Sequence, residues 1–339
     1  MLHRILANGG FFLAVLGSAS CFQTPEAMHH DGVVYGIAFS PDSKNLASGS
    51  GGPRDCLIRL WDIDSGKEIR RFRGYKNHIY AIAISPDGDY LATGGRENAI
   101  RVWSVGSGKE VRKLEGHGHY VNSISFSTDG KLLVSASDDK TVRIWDPEAG
   151  RQVRTLGDGE WPMRSAAFAP DGKIGVGCDN DKTVYLWDAE TGKEVHRLAG
   201  HEAPAFWAAF SPDAKKLASA SSDFTVRLWD PGSGKEIARY KGKRAVAAWS
   251  PNSKLLAFPG TDHEILLVDA DNGKTIRKLM GPKGDVRSVA FSPNGKMLAI
   301  GGMLDTGDWD GFVWVWDVET GRLIQPMEVA KSIPGKKGG

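Results

Sequence analysis

The sequence is short of cysteine, of long apolar runs and of charge of one sign. Its 339 residues hold three cysteines, Cys21, Cys56 and Cys178, none of them in a C-x-x-C pair. A thiolate metal site and a redox dithiol are therefore not expected. The repeat phase below puts Cys56 and Cys178 in distant units, so both read as unbridged core thiols. Beyond the first 20 residues no apolar run approaches the roughly 18 residues that span a bilayer. Basic and acidic residues number 43 and 41 and are interspersed, which removes the electrostatic footprint of a nucleic-acid binder. Only Lys331, Lys336 and Lys337 lean basic, and residues 330–339 read as a flexible, solvated tail.

What is present is enough for a packed core: 41% apolar against 25% charged residues excludes disorder for most of the chain. The N-terminus reads differently. Residues 1–20 carry Arg4, an apolar stretch over 11–16, and the small Ser18 and Ser20 just ahead of Cys21. That is the layout of a secretory signal peptide, although Asn8, Gly9 and Gly10 interrupt its apolar part. The expectation is export to a periplasm, cell surface or exterior, and a cytoplasmic protein if the segment is no signal. A lipid anchor at Cys21 is the weaker alternative. The stretch resembles the bacterial lipoprotein signal, which has leucine where Ser18 stands. Residues 21–32 read as a linker.

The body is periodic. Trp61, Trp103, Trp145, Trp187 and Trp229 recur every 42 residues, all but Trp103 followed by Asp, and Val268-Asp269 and Trp316-Asp317 make seven units. A second anchor, the turn Ser-Pro-Asp-Gly and its variants, falls at Asp42, Asp87, Asp129, Asp171, Asp213, Asn252 and Asn294. The anchor-to-Trp spacing is 16 residues in units two to six, 19 in unit one and 22 in unit seven. Two insertions, near 51–54 and 305–309, account for the difference. Unit six is short ahead of its first strand. Each unit holds four short runs rich in β-branched and aromatic residues, separated by Gly, Pro and Asp, which predicts a four-stranded antiparallel meander. One such sheet cannot bury both faces, and radial stacking solves that. The fold class is therefore all-β, a seven-bladed β-propeller over 33–329. Residues 322–329 are expected to supply the last strand of blade seven, so that the ring closes without a strand borrowed from the N-terminus, while residues 22–30, which occupy the position of a preceding fourth strand, have room to lie along that edge.

These residues resemble the WD-repeat family, in register, over about 32–329. An acid stands six residues before each terminal position: Asp55, Glu97, Asp139, Asp181, Asp223, Asp262 and Asp310. The resemblance implies a buried Trp, Ser, His and Asp network in each blade, but only His30, His117 and His201 occupy the histidine position. The expected sets are His117, Ser135 or Ser137, Asp139 and Trp145, and His201, Ser219 or Ser221, Asp223 and Trp229. Tyr75, Gly159, Lys241 and Pro282 replace the histidine elsewhere, and those blades are expected to hold by packing alone. A motif copied around a ring is architecture, so the Asp-His-Ser sets read as structural rather than catalytic. The run from Asp305 to Gly311 lacks the closing Glu of a calcium loop, and neither metal nor cofactor is expected.

The resemblance also implies protein binding through the face built from the d–a and b–c loops, where two columns of residues fall. One is Tyr35, Tyr80, Asn122, Arg164, Phe206, Ala245 and Arg287; the other is Arg54, Arg96, Asp138, Asn180, Ser222, Thr261 and Trp309. Tyr, Phe, Trp and Arg are the side chains that anchor interfaces. The expected function is a non-catalytic scaffold for protein partners, with Trp309, Arg54, Arg96, Tyr35, Tyr80, Arg164, Phe206 and Arg287 as contact candidates. Two alternatives stand beside it. A ligand-binding or enzymatic propeller would need convergent His or carboxylates in the channel. A structural module of an envelope assembly would be found membrane-bound.

Overall fold

The computed structural model describes residues 29–157, 160–178, 182–243, 246–306 and 309–325. The leader, the Cys21 anchor and the basic tail lie outside them, as do Gly159, Asn180, Asp181 and Ala245.

Twenty-eight strands form seven four-stranded antiparallel sheets, and a two-residue strand, His29–His30, joins the seventh. In blade three, strands a to d are Val121–Phe126, Leu133–Ser137, Val142–Asp146 and Arg151–Leu156, each pairing with the next. Their connections are set by side chains that cap their own turns. Asp129 accepts the Ser127 hydroxyl at 2.6 Å and the Lys131 N–H at 3.1 Å, while Gly130 takes a φ of +73°. Asp146 accepts the Ala149 N–H in the c–d turn.

The blades are held together at their seams. Seven apolar clusters are present, and each straddles two successive blades. Trp145 of blade three packs with Ile100 and Leu114 of blade two, and Trp229 of blade five with Leu186 and Leu198 of blade four. The repeated Trp is therefore a wedge against the preceding blade, and Val268 takes its place in blade six. The cluster containing Trp61, Val34, Val313 and Val315 closes the ring between blades one and seven.

That closure meets the expectation in part. Leu323–Gln325 does pair with the third strand of blade seven, Gly311–Asp317, but only along Val315 and Trp316. His29 and His30 pair with Phe312 and Gly311 on the same edge. The outer strand of blade seven is thus supplied partly from each end of the chain. Residues 326–329, the remainder of the expected strand, lie outside the described residues. His29 and His30, expected in a linker, belong to the propeller.

Cys56 is a free thiol, half-buried in the b–c connection of blade one, where it packs against the edge of the core cluster between blades one and two and lies 3.4 Å from the Gly52 carbonyl.

Candidate functional site

Three blades carry the same buried relay. In blade five, the Trp229 indole N–H donates to Ser219 Oγ at 2.8 Å, Ser219 lies 2.7 Å from His201 Nε2, and His201 Nδ1 lies 2.8 Å from Asp223 Oδ2. Blade three repeats it with Trp145, Ser135, His117 and Asp139, and blade one with Trp61, Ser48, His30 and Asp55. An indole can only donate, and an ionised carboxylate can only accept. A neutral imidazole that donates from Nδ1 and accepts the serine proton at Nε2 satisfies every partner along the chain. Burial pushes the His117 and His201 pKa values down more than the adjacent carboxylates raise them. Burial alone would raise Asp139, but hydrogen bonds from His117, the Thr141 hydroxyl and the Gly118 N–H hold it well below the usual range. Asp223 is held low in the same way, with Thr225, the Glu202 N–H and His201 as donors. Of the alternative serines, Ser137 and Ser221 bond instead to the His119 and Ala203 carbonyls.

Blade two corrects the expectation that it holds by packing alone. Tyr75 Oη lies 2.8 Å from Thr93 Oγ1, which also accepts the Trp103 indole N–H at 2.8 Å. A phenol and a threonine replace the imidazole and the serine.

The first candidate column converges on the mouth of the central channel. Among the described residues six first strands carry a one-residue β-bulge, at Tyr35, Tyr80, Asn122, Arg164, Phe206 and Arg287. An extra residue in a strand escapes the ladder and re-aims its side chain. All six line one cavity of about 460 Å³. In blade six the described part of the first strand is Ala248–Trp249, and its column position, Ala245, lies outside the described residues.

Around the mouth the side chains order one another. Tyr35 and Tyr80 meet edge to face at 5.1 Å, and Tyr80 approaches Tyr120 at 6.2 Å. Arg287 lies over Tyr35 and Arg164 over Phe206, at 5.9 and 6.0 Å. Arg164 pairs with Asp138 at 2.8 Å and Arg287 with Asp285 at 2.8 Å. Arg96, from the second column, donates its Nε–H to Tyr80 Oη at 2.6 Å.

Trp309 and Arg54 do not line this cavity. Both are exposed, and both stand in b–c connections. The Trp309 ring packs against the blade-one insertion, 3.8 Å from where a Cβ on Gly52 would lie, so the two insertions do meet at the closure seam. Among the described residues no three His, Cys, Asp or Glu side chains gather as a metal site requires, and no helix is long and apolar enough to cross a membrane.

Sequence reasoning missed an outer set of contacts. Arg112, Arg154, His196 and Arg277, each nine residues after a unit's terminal position, reach the c–d turn of the next blade. Arg154 donates to the Glu190 carbonyl at 2.7 Å and Arg277 to that of Glu319 at 2.6 Å. The signal was their common spacing from Trp, which the apolar anchors overshadowed.

Seven seam-packed blades, three identical buried relays and a bulge-lined channel define a repeat propeller of the tryptophan-aspartate kind. The chain belongs to the WD domain, G-beta repeat family, whose model matches residues 20–62, 66–104, 108–146, 150–188, 192–230 and 273–317. The stretch between the last two matches is blade six, where Val268 replaces the Trp. Part of the chain is 34% identical over 79 residues to Coronin-7 of Rattus norvegicus, 23% of this chain and 8% of that protein. WD repeat and SOCS box-containing protein 1 of Danio rerio is 38% identical over 74 residues, 21% and 17% of the two chains. The aligned stretches thus span less than a fifth of these curated relatives.

Proposed function

We propose that the protein is a non-catalytic interaction scaffold that binds a partner protein at the mouth of its central channel. The observation that carries this reading is the coincidence of column and bulge: six blades spend a ladder irregularity at the position that turns an aromatic, Arg or Asn side chain into one cavity. A cavity of about 460 Å³ accommodates a few side chains of a peptide or loop tip. Its Tyr, Phe and Arg lining is of the hot-spot kind, and the rigid ring loses little entropy on docking.

Two observations weigh against catalysis. The relay serines Ser48, Ser135 and Ser219 are wholly buried, where no substrate reaches them. At the mouth, Asp138 is committed to Arg164 and to the Asn122 amide at 2.6 Å, which leaves it a poor general base. Trp309, half-exposed at the closure seam, serves as a second anchor on the same face. Export rests on the pattern of residues 1–20 and is part of the proposal.

The test is site-specific photo-cross-linking in the source cells. A benzophenone side chain at position 206 should give discrete partner adducts, and one at Ile69 on the outer wall should not. Adducts from Ile69 alone would place the interface on the circumference.

A further inference from the structure

Two exposed arginines of this face, Arg54 and Arg96, have no acidic partner among the described residues, and of the two only Arg96 is held by neighbouring rings. Arg164 and Arg287 each hold an aspartate already. Arg59, Arg101, Arg143 and Arg227 lie inside their blades and bridge to the acidic column. Arg96 is exposed, in the b–c turn of blade two, and has no acidic partner within ion-pair distance among the described residues. Its neighbour Glu97 is occupied by Arg101 and by the Lys76 N–H, and Asp138 by Arg164.

An exposed arginine ordinarily samples many rotamers, but this one is held. Its Nε–H is fixed on Tyr80 Oη, and its planar group lies 6.0 Å from the Tyr80 ring and 5.4 Å from the Tyr120 ring. With Nε used, the two terminal amino groups form an end-on fork. That fork matches the two oxygens of a carboxylate, and the ordering entropy is met before binding. The flanking tyrosine rings add a cation–π attraction that holds the guanidinium in place. Charge agrees among the described residues: Arg164 and Arg287, which line the cavity, are each paired with an aspartate, while Arg96 at its rim is not.

We propose that Arg96 is the carboxylate-binding group of the mouth and that the partner is engaged through an acidic peptide segment, one of whose carboxylates sits in the Arg96 fork between Tyr80 and Tyr120. This rests on the mouth being the contact surface.

The test uses the full chain and fluorescein-labelled probes read by anisotropy: a decapeptide alternating Gly and Glu, its Gly and Gln counterpart, and a ten-residue oligo-dT. The acidic peptide should bind about tenfold or more tighter than the Gln peptide, and its binding should weaken with salt. Arg96→Gln and Arg96→Lys should each weaken the acidic peptide about tenfold, because lysine keeps the charge and loses the fork. Lys109→Gln, in a c–d turn on the opposite face, should change nothing. Equal binding of the Gln peptide, tighter binding of oligo-dT, no binding of the acidic peptide, or an unaltered Arg96→Gln variant overturns the assignment. The mouth as contact surface is judged separately: adducts at position 206 with no acidic preference remove only the carboxylate, whereas adducts confined to Ile69 remove both.

Discussion

His30 belongs to two blades at once. Its backbone pairs with Gly311 of blade seven, while its imidazole stands 2.9 Å from Asp55 and 2.7 Å from Ser48 of blade one. The relay that elsewhere organises a single blade here also fastens the seam where the ring begins and ends. His30→Ala should cost about 1–3 kcal/mol by leaving buried Asp55 and Ser48 short of a partner. It should also raise hydrogen exchange at the Gly311 and Phe312 amides, whereas His117→Ala should cost a similar amount and leave those amides protected. Equal exchange in the two variants would show that the N-terminal strand does not hold the seam.

The relays make stability acid-sensitive. The folded pKa values of His117, His201, Asp139 and Asp223 all lie below their unfolded ones, so the unfolded chain binds more protons and stability rises with pH. The contribution is complete above the unfolded histidine value of about 6.5, falls as pH drops below it, and falls further below about 4 as the carboxylates protonate. Urea midpoints between pH 4 and 7.5 check this. The double variant His117→Gln/His201→Gln should flatten the upper part of the decline, and a wild-type midpoint that rises toward pH 5 contradicts it.

Trp229 and Trp309 separate wedge from knob. Trp229 is 1% exposed in the seam core, and Trp229→Ala should cost about 3–5 kcal/mol through lost burial, a cavity and the loss of the indole hydrogen bond to Ser219. Trp309 is 48% exposed, and its removal should cost under about 1 kcal/mol. Similar melting of the two variants would mean that the terminal Trp is not the wedge.

The spacing of Trp and of the Ser-x-Asp turn made blade number, strand order and the His117 and His201 relays legible, because each depends on side chains repeated in register. Irregular features were less so. Tyr75 joined a network because Thr93 supplies a hydroxyl across the blade, a pairing visible only once strand b and the lead-in loop are folded together. The shared edge of blade seven depends on where two chain ends meet, which no repeat encodes. The mouth column was found by alignment, but the bulges that turn it inward were not, since an extra residue repeated at the same place in six blades leaves no irregularity in their spacing.

The leader has a direct check. Cleavage before Cys21 would spare His29 and His30, so the seam clasp would survive export. Mass spectrometry of the protein purified from its source should show a chain beginning at Cys21. A chain retaining residues 1–20 contradicts export by this route.

The claim that the channel mouth is the contact surface is tested most directly by partner retention on the immobilised full chain, comparing wild type with Arg164→Ala/Phe206→Ala and Arg54→Ala/Trp309→Ala. The mouth variant should lose about 1–3 kcal/mol of partner affinity for each anchor removed, with the smaller loss in the seam variant and melting little changed in either. A mouth variant that retains its partner as tightly as wild type contradicts the account.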